Sequence, residues 1–362
     1  ERVRSLSGPI LLHVKTRKGK GYAPAEKSPE DFHGISKFNV ESGEREAGGG
    51  FTFSQAFART LLTAAKRDPK VVAVVAAMTG GTALEEFSQK LPQQFFDVGI
   101  AEGHAVTMAG GLAAAGLRPV VAIYSTFLQR AYDQIFHDVC LQNLPVVFAV
   151  DRAGLVGEDG PTHHGVFDLA YLRHLPNLRI MAPSNAQELS GMLLAALRSP
   201  GPVALRYPRG MAAAQPPVGT PKPIFPGRAL LLKPGKDLAI LALGPMVAPA
   251  LEAAAKLRAH KLQVAVVDAR SVKPLDEALI RRLAGSTRAL LTIEDHVLAG
   301  GFGSAVLEFL ESAGLLSDVA FARMGLPDCF VEQGTVPQLW KKYGLTAEGI
   351  ARQCLALLKR KK

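Results

Sequence analysis

At 362 residues, 48% hydrophobic and 20% charged, the chain is too long for one ordinary domain and too apolar to be disordered. Its net charge of +10 comes without an Arg-rich block interleaved with aromatics, which speaks against nucleic acid and leaves a basic surface able to draw in anions. Cys140, Cys329 and Cys354 lie far apart with no C-x-x-C pair, no apolar segment behind Glu1-Arg2-Val3-Arg4 reads as a secretory signal, and the apolar run 71–78 is too short to span a bilayer, so a cytoplasmic protein without a disulfide framework or membrane contact is expected.

Residues 8–15, Gly-Pro-Ile-Leu-Leu-His-Val-Lys, read as one buried strand, followed by Lys18-Gly-Lys-Gly and a polar stretch ending at Gly48-Gly49-Gly50. A lone strand cannot bury both faces, so 1–48 is expected to be the tail end of a domain whose other strands precede it. The region 49–210 is expected to form a doubly wound, mainly parallel α/β domain. A helix should start at Thr52, with Gln55 placed for a capping box and Phe53, Phe57, Leu61 and Ala64 on one face. Strands are expected at 71–77, 95–98, 119–124, 146–150, 179–181 and 203–206. Six prolines over 208–227 mark a linker, assigned to 211–228. A second α/β series fills 229–362, with strands at 238–243, 263–267, 289–293 and 319–322 and helices near 248–257, 275–283, 304–310 and 347–358.

Ligands of open parallel sheets bind at the carboxyl ends of strands. The loops after Ala77, Val98, Tyr124, Val150 and Arg206 therefore share one rim, and they hold the unusual residues. Asp97-Val-Gly-Ile-Ala-Glu102-Gly-His104 ends a strand and opens an Ala- and Gly-rich helix, where an acid in the first turn meets the helix dipole favourably. Tyr124-Ser-Thr-Phe127-Leu-Gln-Arg130-Ala-Tyr-Asp-Gln-Ile can form an amphipathic helix with Phe127, Ala131 and Ile135 inward. Asp151-Arg152-Ala-Gly-Leu-Val-Gly-Glu-Asp159-Gly-Pro-Thr-His163-His164-Gly is a long loop whose paired histidines leave a metal site as one reading. Arg206-Tyr-Pro-Arg209-Gly closes the last strand, and Gly300-Gly-Phe-Gly303 lacks the spacing of a dinucleotide loop.

Together these strings resemble the 1-deoxy-D-xylulose-5-phosphate synthase family of transketolase-like thiamin-diphosphate enzymes, along essentially the whole chain. The resemblance makes 1–48 the end of a diphosphate-binding domain, 49–210 a pyrimidine-binding domain and 229–362 a transketolase C-terminal domain that mainly supports packing and dimerisation. It implies that Glu102 bonds the N1′ atom of the cofactor's aminopyrimidine, with Phe127 stacked on that ring and Arg130, Ile100, Met78 and Lys18 around the cofactor. A carboxyl in an apolar pocket would suit that proton sharing. Tyr124, Arg152, Arg209 and His163 would meet substrate, the two arginines holding its phosphate. Glu102, His163, Asp159 and His33 are the implied catalytic residues, with a solvated loop histidine the competing reading of His33.

The implied reaction joins pyruvate to D-glyceraldehyde 3-phosphate, giving 1-deoxy-D-xylulose 5-phosphate and carbon dioxide, the first step of the non-mevalonate route to isoprenoid precursors. The implied cofactors are thiamin diphosphate and Mg2+, and the implied assembly is a homodimer. The family's Gly-Asp-Gly…Asn magnesium string is not matched; Glu158-Asp-Gly is the nearest approach. No residue here is therefore assigned to metal, the ligands being expected in an N-terminal domain or separate fragment, and the chain by itself is expected to be inactive. Two alternatives stand beside this: the β-subunit of a 2-oxo-acid dehydrogenase, against which residues 8–33 speak, and a non-catalytic scaffold with the same two domains.

Overall fold

In the computed structural model, which describes residues 2–29, 32, 38–44, 50–213, 219 and 221–359, the chain divides into two units, 1–49 and 50–362. The first is small. Its helix Ala23–Lys27 carries Pro24 in its first turn, and Tyr22, Phe32 and Phe38 pack ring against ring with centroids 5.5–6.0 Å apart. Residues 8–15 form no strand, and all of them are exposed, against the expectation of a buried strand. Among the described residues no second strand is present there to take their amides and carbonyls, so the apolar run is left to water.

The larger unit carries the strands β1 (Phe51–Thr52), β2 (Val71–Val75), β3 (Phe95–Asp97), β4 (Arg118–Tyr124), β5 (Val147–Asp151), β6 (Arg179–Met181), β7 (Val203–Arg206) and β8 (Met211–Ala213). It continues with β9 (Leu230–Lys233), β10 (Leu238–Ala242), β11 (Val264–Asp268), β12 (Ser271–Lys273), β13 (Ala289–Val297) and β14 (Ala320–Leu326). One sheet has the order β12-β6-β7-β5-β4-β2-β3, parallel except at β12, and a second has β14-β13-β10-β11-β9, parallel except at β9. This is the expected pair of doubly wound sheets.

Period-two alternation explains why such strands read as unbroken apolar runs. Val71, Ala73 and Val75 join the cluster under helices Phe53–Ala65 and Ala186–Ala196, while Val74, Val121 and Ile123 face the other side. That other side is continuous with residues of the second sheet, including Leu241, Val267 and Leu290. The two sheets therefore share one apolar body. A third cluster lies under helices Val247–Leu257 and Ala347–Lys359.

Thr52 does cap its helix, accepting from the Gln55 amide while the Gln55 side chain accepts from Thr52 N–H. Three short pairings were not expected. β8 falls inside the assigned linker and pairs antiparallel with β1. β9 adds an antiparallel edge to the second sheet, and β12, from the C-terminal half, pairs antiparallel with β6 of the first. Next to that last join, Arg270 Nε donates to Glu188 Oε1 at 2.6 Å. The stretch after β4 is also not one regular helix. It winds as α over Ser125–Leu128, 3-10 over Gln129–Ala131, α over Tyr132–Gln134 and π over Ile135–Cys140, with Ala131 and Ile135 buried as expected and Phe127 half-buried.

Candidate active site

The loops after β2, β3, β4, β5 and β7 lie at the carboxyl ends of neighbouring parallel strands, so their side chains can converge. Asp97 organises the first two loops. Its Oδ1 accepts from the amides of Ala77 (2.8 Å) and Gly99 (3.0 Å), and its Oδ2 from the Thr79 hydroxyl (3.2 Å). One carboxyl thus ties the Met78 loop to the turn that delivers Glu102, a part that the sequence reading did not give it.

Glu102 is the first residue of helix Glu102–Ala114 and is 6% exposed. Its Oε1 accepts from Arg130 Nη1 at 2.8 Å, and the same guanidinium sits 5.2 Å from the centroid of Phe127. The Phe127 ring is stacked on Tyr124 (5.7 Å, 13° between planes) and meets His163 edge-on (5.6 Å, 75°). His163 is held in turn by Thr162, whose Oγ1 is 2.8 Å from Nδ1 and whose carbonyl accepts from the Thr126 hydroxyl. Glu102, Arg130, Phe127, Tyr124 and His163 therefore form one connected set drawn from three loops.

Arg152 joins that set through its guanidinium, 4.1 Å from the centroid of Tyr124. Its backbone has φ +58°, uncommon for a non-glycine residue. Nη1 donates to the Gly81 carbonyl and to Ser54 Oγ (3.3 Å) and lies 3.1 Å from Asp151 Oδ1. Asp151 is fully buried and also accepts from the Ser54 hydroxyl at 2.7 Å; burial pushes its carboxyl up, with Arg152 pulling the other way. Gly81 has to be glycine, since a Cβ there would stand 2.0 Å from the Tyr124 hydroxyl. Burial also pushes the Tyr124 phenol up, and the charges of Arg152, Asp151, Arg209 and Asp159 all reach it.

Arg209 and Asp159, placed in different roles by the sequence reading, are joined here. Arg209 Nη1 lies 2.6 Å from Asp159 Oδ2, with both side chains well exposed. Met78 is half-buried on the loop after β2, and Ile100 is 82% exposed just before Glu102. Lys18 belongs to the smaller unit, on an exposed turn, and His33 lies outside the described residues. His164 points away from the rim. It is buried, its Nδ1 accepts from the Val156 amide, and its Nε2 faces the Glu332 carbonyl. Among the described residues no group of three or more His, Cys, Asp or Glu is placed to hold a metal ion.

A cleft of about 580 Å3 lies elsewhere, between helices Phe53–Ala65 and Ala186–Ala196, and none of these residues lines it. No helix among the described residues is long and apolar enough to cross a membrane.

Residues 50–214 match the transketolase pyrimidine binding domain and residues 227–350 the transketolase C-terminal domain. The chain is 52% identical over 360 residues to 1-deoxy-D-xylulose-5-phosphate synthase 1 of Geobacter sulfurreducens, covering 99% of this chain and 56% of that protein. It is 54% identical over 350 residues to the synthase of Heliobacterium modesticaldum, covering 96% and 54%. The chain thus spans about half the length of the curated relatives it matches. Among solved structures, one described as a split gene transketolase, an inactive beta4 tetramer, superposes with a TM-score of 0.76 at 34% identity, over 87% of this chain and all of that one. The chain therefore belongs to the transketolase family, with that family's pyrimidine-binding and C-terminal domains in one polypeptide, and its curated relatives there are 1-deoxy-D-xylulose-5-phosphate synthases.

Proposed function

We propose that the chain forms the pyrimidine-binding and C-terminal part of a 1-deoxy-D-xylulose-5-phosphate synthase, working in the complete enzyme as a homodimer. The reaction is the decarboxylative joining of pyruvate to D-glyceraldehyde 3-phosphate, giving 1-deoxy-D-xylulose 5-phosphate and carbon dioxide. The observation that carries this reading is the buried Glu102 carboxyl set beside Phe127, with the Arg130 guanidinium touching both. The half-buried aromatic face and the neighbouring carboxyl fit a planar heterocycle that bears a basic ring nitrogen. Identity of 52–54% to named synthases favours this over a 2-oxo-acid dehydrogenase subunit or a scaffold.

Bound thiamin diphosphate supplies a nucleophilic carbon and an electron sink for decarboxylation. Glu102 holds a proton at N1′ of the aminopyrimidine, Phe127 lies against that ring, and Arg130 keeps the Glu102 side chain in place. Met78 and Ile100 border the same ring. His163 and Asp159 face substrate from the loop after β5, near Tyr124. Arg152 and Arg209 receive the acceptor phosphate, Arg209 by exchanging Asp159 for the ligand. Magnesium and the cofactor's diphosphate are held by the part of the synthase that this chain does not span, Lys18 serves the cofactor and His33 catalysis, and this chain alone is inactive.

Two measurements test this. In the complete enzyme, assayed for the five-carbon sugar phosphate, Arg209→Ala is expected to raise the KM for glyceraldehyde phosphate roughly tenfold or more and leave the pyruvate KM nearly unchanged, since a hydrogen bond to a charged group contributes about 1.5–3 kcal/mol. Equal effects on both substrates would remove the phosphate assignment. In calorimetry with magnesium present, the complete enzyme is expected to bind thiamin diphosphate tightly and this chain alone only weakly. Tight magnesium-dependent binding by the chain alone would contradict the division of the site.

A further inference from the structure

The loop that carries Asp159 and His163 is built on the C-terminal half of the chain. Gly154, Gly157 and Gly160, three residues apart and all at positive φ, each turn their bare Cα toward that half. A Cβ on Gly154 would stand 2.3 Å from Asp295 Oδ2, one on Gly157 3.2 Å from the Gly334 carbonyl, and one on Gly160 3.3 Å from the Gln333 side chain. Hydrogen bonds follow the same route. The Leu155 amide donates to Asp295 Oδ2 (3.1 Å), His164 faces the Glu332 carbonyl (3.2 Å), and the Val297 amide donates to the Val166 carbonyl (3.1 Å). Past the loop, the Leu169 amide donates to His296 Nε2 at 3.1 Å.

Asp295 is the centre of this seat. It lies on β13 between Glu294 and His296, all three at most 2% exposed. A buried carboxyl is costly unless its oxygens are bonded, and the Leu155 amide and the Trp340 side chain are the donors that bear on this one. Its Oδ2 serves the Leu155 amide, so this carboxyl stays in the core while holding the loop backbone. Burial pushes it up to about 6, with the Leu155 amide pulling the other way.

We infer that Asp295 is a positioning residue: through the Leu155 amide and the close approach of Gly154, the C-terminal half holds the loop 152–167 so that Asp159 and His163 face the rim. The seat itself is read from the geometry; its use in catalysis rests on the proposed function above. This gives the C-terminal domain a part in the site beyond the packing and dimerisation role expected from sequence.

Hydrogen exchange on the chain, read by mass spectrometry, tests the seat without any turnover. Asp295→Ala should speed exchange over 153–166 roughly tenfold or more while β2 and β5 keep their protection, and Asp295→Asn, which retains an acceptor, should restore the wild-type pattern. If Asp295→Ala fails to fold, Gly154→Ala pushes the loop off the same carboxyl and should give the same local pattern. Exchange over 153–166 that is unchanged, or that rises no more than in β5, would overturn the inference. In the complete enzyme Asp295→Ala should lower kcat with Asn rescuing it. An enzyme that makes another product would overturn the proposed reaction and leave the exchange result standing.

Discussion

Glu102→Ala in the complete enzyme is expected to lower kcat by about a hundredfold or more while the chain keeps its fold and its thermal midpoint within a few degrees. The catalytic part of this follows from the usual contribution of a positioned acid or base. The structural part follows from what Glu102 touches. Its side-chain partner Arg130 is 57% exposed on its side chain, so water can take over the guanidinium when the carboxyl goes. The helix start loses a favourable charge near its dipole, an effect of about 0.3–1 kcal/mol. The turn before the helix is held by Asp97 rather than by Glu102, so the loop that presents Ile100 should keep its path. Glu102→Gln separates the two functions, since the amide keeps shape and an acceptor for Arg130 but cannot hold the N1′ proton in the same way. Near-normal product formation by either variant, in a sample with intact circular dichroism, would rule Glu102 out as the acid at the cofactor ring.

Much of this was legible because parallel strands buried on both faces leave continuous apolar runs. The runs at 71–77, 119–124, 146–150 and 203–206 became β2, β4, β5 and β7 with shifts of a residue or two. Thr52 and Gln55 announced their capping box in the same way. What escaped was structure whose cause lies far away in the chain. β12 is three residues, Ser-Val-Lys, and is a strand only because β6 offers an open edge. β8 sits among linker prolines for the same kind of reason, its partner being β1. The expected strand at 8–15 failed the other way, having the composition but no neighbour among the described residues. In the site, the quoted strings located Glu102, Phe127, Arg130, Tyr124, Arg152 and His163, which the structure brings together. Strings do not show pairing, so the Arg209–Asp159 contact, the turn-setting role of Asp97 and the Asp295 seat were invisible.

Arg206→Met is expected to destabilise the larger unit by about 3–5 kcal/mol, measured from urea midpoints, because it strips the partner from a buried charge. Arg206 ends β7 at 3% exposure and its Nε lies 2.9 Å from Asp168 Oδ2, itself 1% exposed. Its Nη2 also reaches the carbonyls of Gly165 and Asp295, each at 3.5 Å, so one guanidinium spans the first sheet, the site loop and β13. His296 stands 3.6 Å from Asp168 but is neutral while Arg206 is in place. Its Nε2 accepts from the Leu169 amide and its Nδ1 faces the Val297 carbonyl at 2.7 Å, which fixes a neutral ring with the proton on Nδ1. Burial holds its pKa down at about 4, in agreement with that tautomer. Removing the stranded charge as well should therefore recover stability: Arg206→Met with Asp168→Asn is expected to regain at least about 1 kcal/mol over Arg206→Met, a non-additivity that only a direct pairing produces. A single variant costing less than about 1 kcal/mol, or a double variant no better than the sum of the two singles, would mean that this buried pair does not join the halves of the unit.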